Sequence, residues 1–542
     1  MSIWKTGENK QTGEEKLSGV FFPGIGSQQR LAFICTVISM LLTHLYMFTN
    51  EIVNHDDVNR LLVGDTDEVK IQHGRWAGVI FDRVSGSMAG IPFVMGSIST
   101  LATAAACVVL VSILKTHRNL NTILVCLLIS VFPVSANIFL YVYIADVYFI
   151  SMFLAMWGVW LILERGKLQN WLGIVLLTLA CGCYQAFWCF GISVLFLYFL
   201  LELYEGKKDE KELLKKIVAC LIMAAISLVI YLLINKIVQN VTGYGATPYQ
   251  GLDSMGEFQG LFHVLKILAV AYYEFIYFFY YNGFFVKSPV IAILNLMLTG
   301  VILWILVRRG LEKKDSLWYW IGTIGFICCI PLAANLISVA SQNRTHILMQ
   351  YGYAMPYFMC ITLMEKGMVH KGGEKRRYYT TIAAIVYLMV CMVIYKSYLT
   401  VNEIYFRQQL NYEATYSYTL RLLYRMEEFE GYDPHMKVAL INETPQRSDH
   451  ITIMMENYPA EMAYFDYLNN MGGTDPRTFV KRANDIADFC RYFHGYDLRL
   501  AEIEDFAGLA NTEEFSEMAL YPDKGSMRVI DGVLVIKLPD EK

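Results

Sequence analysis

The long apolar runs between residues 31 and 400 are the feature that most limits what this chain can fold into. Each run approaches the ~20 residues that an α-helix needs to cross the ~30 Å hydrocarbon core of a bilayer. Of the 542 residues, 55% are apolar and only 17% are charged, which is too little polar surface for a soluble protein of this length. The sequence therefore predicts a mainly α, polytopic helical membrane protein.

About 11 transmembrane helices are predicted, at roughly 31–50, 91–114, 120–136, 147–163, 170–184, 186–203, 217–237, 288–307, 317–336, 347–364 and 379–398. Residues 1–30 are polar and no small-residue cleavage pattern follows the first run, so we expect that run to be a retained anchor and not a signal peptide. Residues 256–285 are crowded with tyrosine and interrupted by Glu274, which favours an interfacial aromatic segment over a span.

Charged connectors alternate with connectors that hold few basic residues. The connectors KTHR, ERGK, GKKDEKELLKK, RRGLEKK and EKGMVHKGGEKRR together carry 18 basic residues, whereas the alternate set includes Arg60, Lys70, Arg75 and Arg344. Because lysine and arginine are retained on the cytoplasmic side, the N-terminus is expected in the cytoplasm. An odd number of spans then places the C-terminus outside. The transmembrane domain is expected to cover residues 31–400, with a first outer loop at 51–86 that includes a short amphipathic surface helix after Arg75.

Residues 401–542 predict an extracytoplasmic soluble α/β domain. This part holds 14 Lys+Arg against 25 Asp+Glu, so it is acidic, whereas the membrane part is mildly basic, and neither balance favours nucleic acid. KVALIN and ITIMM are typical of short strands, and a helix is expected after Asp475 as N-cap. Asp531-Gly532 is a strong hairpin signal within MRVIDGVLVIKL.

The first outer loop contains HDDVNR, which sets two adjacent carboxylates, Asp56 and Asp57, near Arg60. A membrane enzyme that works outside the cell has no pool of nucleotide sugars, so its activated sugar must come from the lipid phase, for example as a polyprenyl-phosphate sugar. Transfer to a hydroxyl requires a base for the proton and cations for the departing phosphate. Asp56 and Asp57 are candidate bases, and Arg60 and Arg75 are candidate phosphate ligands because guanidinium groups bind phosphate in a bidentate manner. The alternative is a solvated loop or the start of a surface helix.

Four further residues are weaker candidates. Arg344 either contacts the lipid phosphate or extends to the headgroups, and Asp146 either caps a helix or belongs to the site. Tyr184 and Gln185 lie in a tight outer turn, where an aromatic ring and an amide suit sugar binding but are also common at interfaces. No zinc spacing or disulfide framework is present, so we expect neither a cofactor nor a structural metal. The alternative is a divalent cation bound by Asp56 and Asp57, because a cation would offset the repulsion between the two carboxylates.

DDVNR, GRW at residues 74–76, YQAF at 184–187 and the closing GSMRVIDGVLVIKL together resemble the bacterial GtrII-type glucosyltransferases, known from serotype conversion of O-antigen. The resemblance implies a fold similar to the GT-C class of polytopic glycosyltransferases, a polyprenyl-phosphate sugar donor and a cell-surface glycan acceptor. It implies Asp56 and Asp57 as the catalytic carboxylates, with Arg60 and Arg75 in the same site. Arg344 and Tyr184 follow from less distinctive motifs.

Two other functions are compatible with the sequence. A flippase or transporter of a lipid-linked sugar usually carries charge in the middle of the membrane, and Glu274 is the nearest candidate for such a residue. A non-catalytic scaffold would use the acidic outer domain to bind a partner of surface-glycan assembly. The enzyme hypothesis is the main prediction, because one loop supplies both the base and the cations.

Overall fold

A computed structural model describes residues 21–50, 57–58, 60, 62, 64, 67–86, 90–163, 166–206, 209–246, 260–312, 317–343, 345–369, 373–442, 483–484 and 486–538. Within these ranges the chain is a helical bundle that ends in a small sheet. The helices are α1 Ser27–Thr49, α2 Asp67–Gln72, α3 Trp76–Ser85, α4 Pro92–Leu114, α5 Asn119–Val131, α6 Pro133–Phe139, α7 Ala145–Leu163, α8 Lys167–Cys183, α9 Gln185–Glu205, α10 Glu210–Thr242, α11 Leu261–Ile276, α12 Pro289–Glu312, α13 Leu317–Ala334, α14 Leu336–Ala340, α15 Met355–Val369, α16 Gly373–Glu427, α17 Ile503–Ala510 and α18 Glu513–Glu517. The strands are β1 Lys437–Asn442, β2 Met527–Ile530 and β3 Val533–Leu538.

Ten helical segments of the described residues are long and apolar enough to cross a membrane, which confirms the mainly α polytopic fold. They are Ser27–Thr49, Pro92–Leu114, Asn119–Phe139, Ala145–Leu163, Gln185–Glu205, Glu210–Thr242, Leu261–Asn282, Pro289–Glu312, Leu317–Ala334 and Tyr379–Glu427. Helix α8 is apolar as well but is shorter than these. Most of the predicted spans therefore coincide with a helix of the bundle.

Two regions differ from the expected pattern. The aromatic segment expected at the interface forms α11 and a π-helical turn, Tyr277–Asn282, and together these are also long and apolar enough for a span. The span expected at 347–364 is instead two single 3₁₀ turns, Ile347–Met349 and Tyr351–Ala354, followed by α15. Gly352 allows this irregular backbone to pass close to the end of α13, because a Cβ at this position would collide with the carbonyl of Ala334.

The connectors rich in lysine and arginine come together at one end of the bundle. Lys115 forms an ion pair of 2.7 Å with Glu202, and Lys366 forms another with Glu205. Arg309 Nε donates to the carbonyl of Tyr204 at 3.0 Å. The ends of α4, α9, α12 and α15 thus share one polar surface, and the first outer loop joins α1 to α4 at the opposite end.

Small residues allow α7 and α8 to pack closely. A Cβ on Gly158 would lie 2.8 Å from Leu177 Cγ and 3.0 Å from the carbonyl of Gly173, and a Cβ on Gly173 would lie 3.0 Å from the carbonyl of Gly158. Helix pairs in membranes rely on such close backbone approach, because lipid provides little hydrophobic drive between helices. The crossing fixes the direction in which α8 reaches the turn before α9.

The C-terminal part is linked to the bundle by α16, which runs without interruption through the expected domain boundary at residue 400. His44 Nδ1 and the Tyr405 hydroxyl are 2.7 Å apart, so the far end of α1 contacts the extension of this helix. Beyond it, β3 pairs in parallel with β1 and antiparallel with β2. The KVALIN strand and the Asp531-Gly532 hairpin are confirmed; ITIMM and Asp475 lie outside the described residues.

We predict that Gly158→Ala destabilises the bundle by about 1–3 kcal/mol, because the new methyl group meets backbone on α8 that cannot move away. The matched control is Gly325→Ala in α13, where a Cβ has nothing within 4 Å. Thermal unfolding of the purified proteins in detergent measures both changes. Equal stability of the two variants would contradict the close α7–α8 crossing.

Candidate functional site

Asp57 is buried at the start of the described part of the first outer loop, in helical backbone. Its Oδ1 accepts a hydrogen bond of 3.0 Å from the amide of Tyr143, which lies just before α7. The guanidinium of Arg60 is 6.0 Å from the centroid of the Tyr143 ring. Tyr143, in the connector before α7, therefore contacts both Asp57 and Arg60 of the HDDVNR motif.

Arg75 lies in the turn between α2 and α3 and is buried. Its guanidinium is 5.5 Å from the ring centroid of Tyr148 and 5.2 Å from that of Tyr184. These two rings stack on each other with centroids 3.9 Å apart and planes 10° apart. A planar cation beside two aromatic rings gains cation–π stabilisation, which is stronger when water is excluded. Arg75 therefore packs within the protein.

The turn that carries Arg75 is clamped to two helices. Gln185 Nε2 donates to the carbonyl of His73 and to the hydroxyl of Tyr231, both at 2.9 Å. Gly74 has φ +71°, and a Cβ on it would collide with the Tyr231 hydroxyl and lie 3.0 Å from Gln185 Nε2. Only glycine adopts this backbone freely and leaves this space, which explains the glycine of the GRW motif.

Helix α3 has buried side chains on one face and exposed side chains on the other. Its first residue, Trp76, packs on Gly182, where a Cβ would lie 2.8 Å from the indole ring. Two later residues of the expected apolar stripe, Ile80 and Val84, are exposed. The predicted short helix is present, and its first turn packs against Gly182 of α8.

A buried ion pair, Lys70–Asp82, joins α2 to α3 beside Arg75. Burial is the main cause that lowers the pKa of Lys70 to about 8; the charges of Asp67 and Asp146 oppose this shift, and those of Arg60 and Arg75 add to it. Burial is also the main cause that lowers the pKa of His73 to about 3, helped by the positive charges of Arg75 and then Arg60. The imidazole is therefore neutral at physiological pH.

The structure groups five of the predicted site residues around this turn. Asp57 and Arg60 contact Tyr143, Tyr184 and Gln185 contact Arg75 and its turn, and Asp146, buried in the first turn of α7, acts electrostatically on Lys70. Arg75 completes the group. Asp56 and Arg344 lie outside the described residues, so their predicted roles stay predictions.

Sequence reasoning missed four residues of this cluster: Tyr143, Tyr148, Lys70 and Asp82. The two tyrosines flank Asp146 in the segment YVYIADVYF, so their proximity to a candidate acid was the available signal. Lys70 and Asp82 are twelve positions apart in the loop, and nothing in the sequence indicated that they meet. No group of three or more His, Cys, Asp or Glu side chains suited to a metal ion occurs among the residues that the structure describes.

Glu274, the candidate charge for a transporter, lies in α11 away from this cluster. Its Oε2 accepts a hydrogen bond of 2.8 Å from Asn335 Nδ2, at the break between α13 and α14. The same amide is 3.3 Å from the carbonyl of Ala271. The carboxylate is thus held by a polar side chain at a helix break.

The bundle and the cluster define a polytopic membrane protein with acids and arginines gathered at the end opposite its basic connectors. The family model described as "Glucosyl transferase GtrII" matches residues 45–364, and this chain belongs to that family. It is therefore a membrane glycosyltransferase that uses a sugar donor and a glycan acceptor. No curated protein and no solved structure matches the chain. The matched range includes every predicted site residue and stops before α16.

We predict that Gly74→Ala lowers glycosyl transfer at least tenfold, because the methyl group displaces the Tyr231–Gln185 clamp that holds the turn of Arg75. The control is Gly86→Ala, which imposes the same backbone strain at φ +75° but has nothing within 4 Å of the new methyl group. Transfer rates of the two variants at equal amounts of folded protein test this. A similar loss in both would mean that strain alone matters.

Proposed function

We propose that this protein transfers a hexose, glucose by family, from a polyprenyl-phosphate carrier to a cell-surface glycan at the outer side of the membrane. The observation that carries the proposal is the buried Asp57 held by the amide of Tyr143, with Arg60 beside the same residue. An acid fixed next to cations, at a membrane surface, is what transfer from a lipid phosphate requires. No nucleotide or soluble cofactor enters the scheme.

In the proposed reaction the acceptor hydroxyl attacks the anomeric carbon of the sugar. A glycosidic bond forms, the bond from the sugar to the phosphate oxygen breaks, and the hydroxyl proton passes to a carboxylate. Asp57 is our first candidate for this base, and Asp56 either shares the role or orients the acceptor. A fixed general base typically contributes 10²–10⁴-fold to such a step.

The leaving polyprenyl phosphate gains negative charge as the bond breaks. Arg60 and Arg75 are the proposed partners of that charge, and Arg344 is a further candidate. The low pKa of His73, caused partly by these two arginines, supports a positive potential at the place where the phosphate would lie. Arginine suits this role because its planar fork pairs with two phosphate oxygens. The scheme uses no metal ion, since the guanidinium groups supply the positive charge.

The acceptor and the sugar ring need hydroxyl partners as well as charge. Asp146, Tyr184 and Gln185 are the proposed substrate-binding residues, because they lie around the turn of Arg75. Tyr184 and Gln185 are buried and already engaged with the protein. We therefore propose that they shape the pocket wall behind Arg75 and act on the substrate mainly through it.

We expect Asp57→Asn to reduce transfer by about 10²–10⁴-fold, because an amide cannot accept the hydroxyl proton. The assay follows radiolabelled glucose from polyprenyl-phosphate glucose to isolated surface glycans with purified protein. Glu68→Gln is the control, because Glu68 is an exposed carboxylate on α2 of the same loop. Asp56→Asn is measured in parallel; full activity in both Asp variants would refute the proposed base.

The side of the membrane is a separate part of the proposal. The basic connectors meet at one end of the bundle, and because basic loops are usually retained in the cytoplasm, this supports an outer position for the Asp57 cluster. The C-terminal domain follows α16 to the same outer side, because Tyr405 contacts the end of α1 that leads into the first outer loop.

We predict that a cysteine at Glu68, exposed on α2, reacts in intact cells with a maleimide that cannot cross membranes. A cysteine at Lys211, exposed at the start of α10 among the basic connectors, should react only after the cells are permeabilised. The unsubstituted protein gives the background from its own cysteines. The reverse labelling pattern would place the cluster in the cytoplasm and reject a donor bound at the outer leaflet.

A further inference from the structure

Two ion pairs join α2 to α3, and they differ sharply in exposure. Asp67 and Arg83 pair at 2.7 Å with side chains that are 26% and 73% exposed. Lys70 and Asp82 pair with side chains that are 3% and 1% exposed. The same two helices therefore carry one ion pair in water and one inside the protein.

The buried pair is difficult to explain by stability alone. Removing two charges from water costs several kcal/mol per ion, and a well-packed apolar pair is often as stable or more stable. An exposed pair such as Asp67–Arg83 contributes little to stability, because water already solvates both charges. A buried pair next to a candidate site is better explained by the geometry that it imposes.

Lys70 holds the turn of Arg75 from both ends. Its carbonyl accepts a hydrogen bond of 2.7 Å from the amide of Arg75, and its side chain reaches Asp82 further along α3. Between them, the amide of Gly74 donates to the carbonyl of Ile71 at 3.0 Å. The Lys70–Asp82 contact thus connects the two helices on either side of the turn that carries Arg75.

We propose that Lys70 is a positioning residue for the sugar donor: while charged, it holds Asp82 and so keeps Arg75 in place to bind the donor phosphate. When Lys70 loses its proton, Asp82 is left as a buried charge without its counter-ion. The turn then loosens, so donor binding weakens and the leaving phosphate loses part of its charge stabilisation, whereas acceptor binding is unchanged. This inference rests on the proposed function, in which Arg75 binds the phosphate.

Five charged groups of the described residues face Lys70. Asp67 lies on its own helix, Asp82 on α3 and Asp146 on α7, while Arg60 and Arg75 lie before and after α2. Burial is the main cause that lowers its pKa to about 8. Lys70 is therefore charged below about pH 8 and neutral above it, so donor binding should be tight at lower pH and be lost as the pH rises. The pKa of His73 is about 3, so this neighbour does not titrate in the same range.

The test measures KM for polyprenyl-phosphate glucose, KM for the acceptor and kcat between about pH 6.5 and 9.5. In the wild type, the donor KM should rise about tenfold per pH unit above about pH 8, with a fall in kcat and an unchanged acceptor KM. Lys70→Arg should keep a low donor KM across the range, because the guanidinium does not titrate there. The double variant Lys70→Met with Asp82→Asn removes both charges, and its donor KM should be high and independent of pH.

Arg83→Met is the matched control, because it removes the exposed pair between the same two helices. Its pH profile should equal that of the wild type. Thermal unfolding in detergent verifies that each variant is folded, and if one variant is not, the other still reports the pH dependence. An alkaline rise in donor KM that persists in Lys70→Arg or in the double variant would overturn the inference. Absence of any transfer from this donor by the wild type would instead overturn the proposed function.

Discussion

The charged turn between α2 and α3 is the feature on which the rest of the site depends. Lys70, Arg75 and Asp82 are all removed from water, and an isolated charge in such a place costs several kcal/mol. The turn is therefore stable only where its partners already stand: an aromatic pair for the guanidinium, a carboxylate for the ammonium and a glutamine amide for the backbone carbonyl. The turn therefore depends on the helix bundle that supplies these partners.

The residues that contact this turn come from distant parts of the chain. Helix α7 brings Tyr148, the junction of α8 and α9 brings Tyr184 and Gln185, and α10 brings Tyr231. Their mutual position follows from helix packing, most directly from the close crossing of α7 and α8 at paired glycines. A preformed site of this kind keeps its charged groups oriented before substrate arrives, which is the usual source of electrostatic stabilisation in enzymes.

The family match ends before α16, so this helix and the sheet beyond it lie outside the matched residues. The transfer chemistry of the family is thus associated with the bundle and the first outer loop. The C-terminal part reaches the bundle through the His44–Tyr405 contact and one continuous helix.

Much of this organisation could be predicted from local patterns. The apolar lengths indicated the spans, and Asp531-Gly532 indicated the hairpin, because each depends on a few consecutive residues. The irregular stretch at 347–354 was missed, because its composition is that of a membrane helix and its close approach to the Ala334 carbonyl depends on the tertiary structure. Lys70 and Asp82 were missed because contact between two charged side chains in a loop leaves no periodic signal.

The sequence by itself determined that this chain enters a membrane, which connectors share a side and which loop holds both acids and arginines. Hydrophobic length, charge bias and residue type are properties of single segments, so they can be read without coordinates. Only the tertiary structure decided that Arg75 is buried beside the stacked Tyr148–Tyr184 pair, and that a buried lysine lies next to its turn. Those positions depend on the crossing of helices far apart in the chain, because burial of a charge is settled by the groups that surround it and not by its neighbours in sequence.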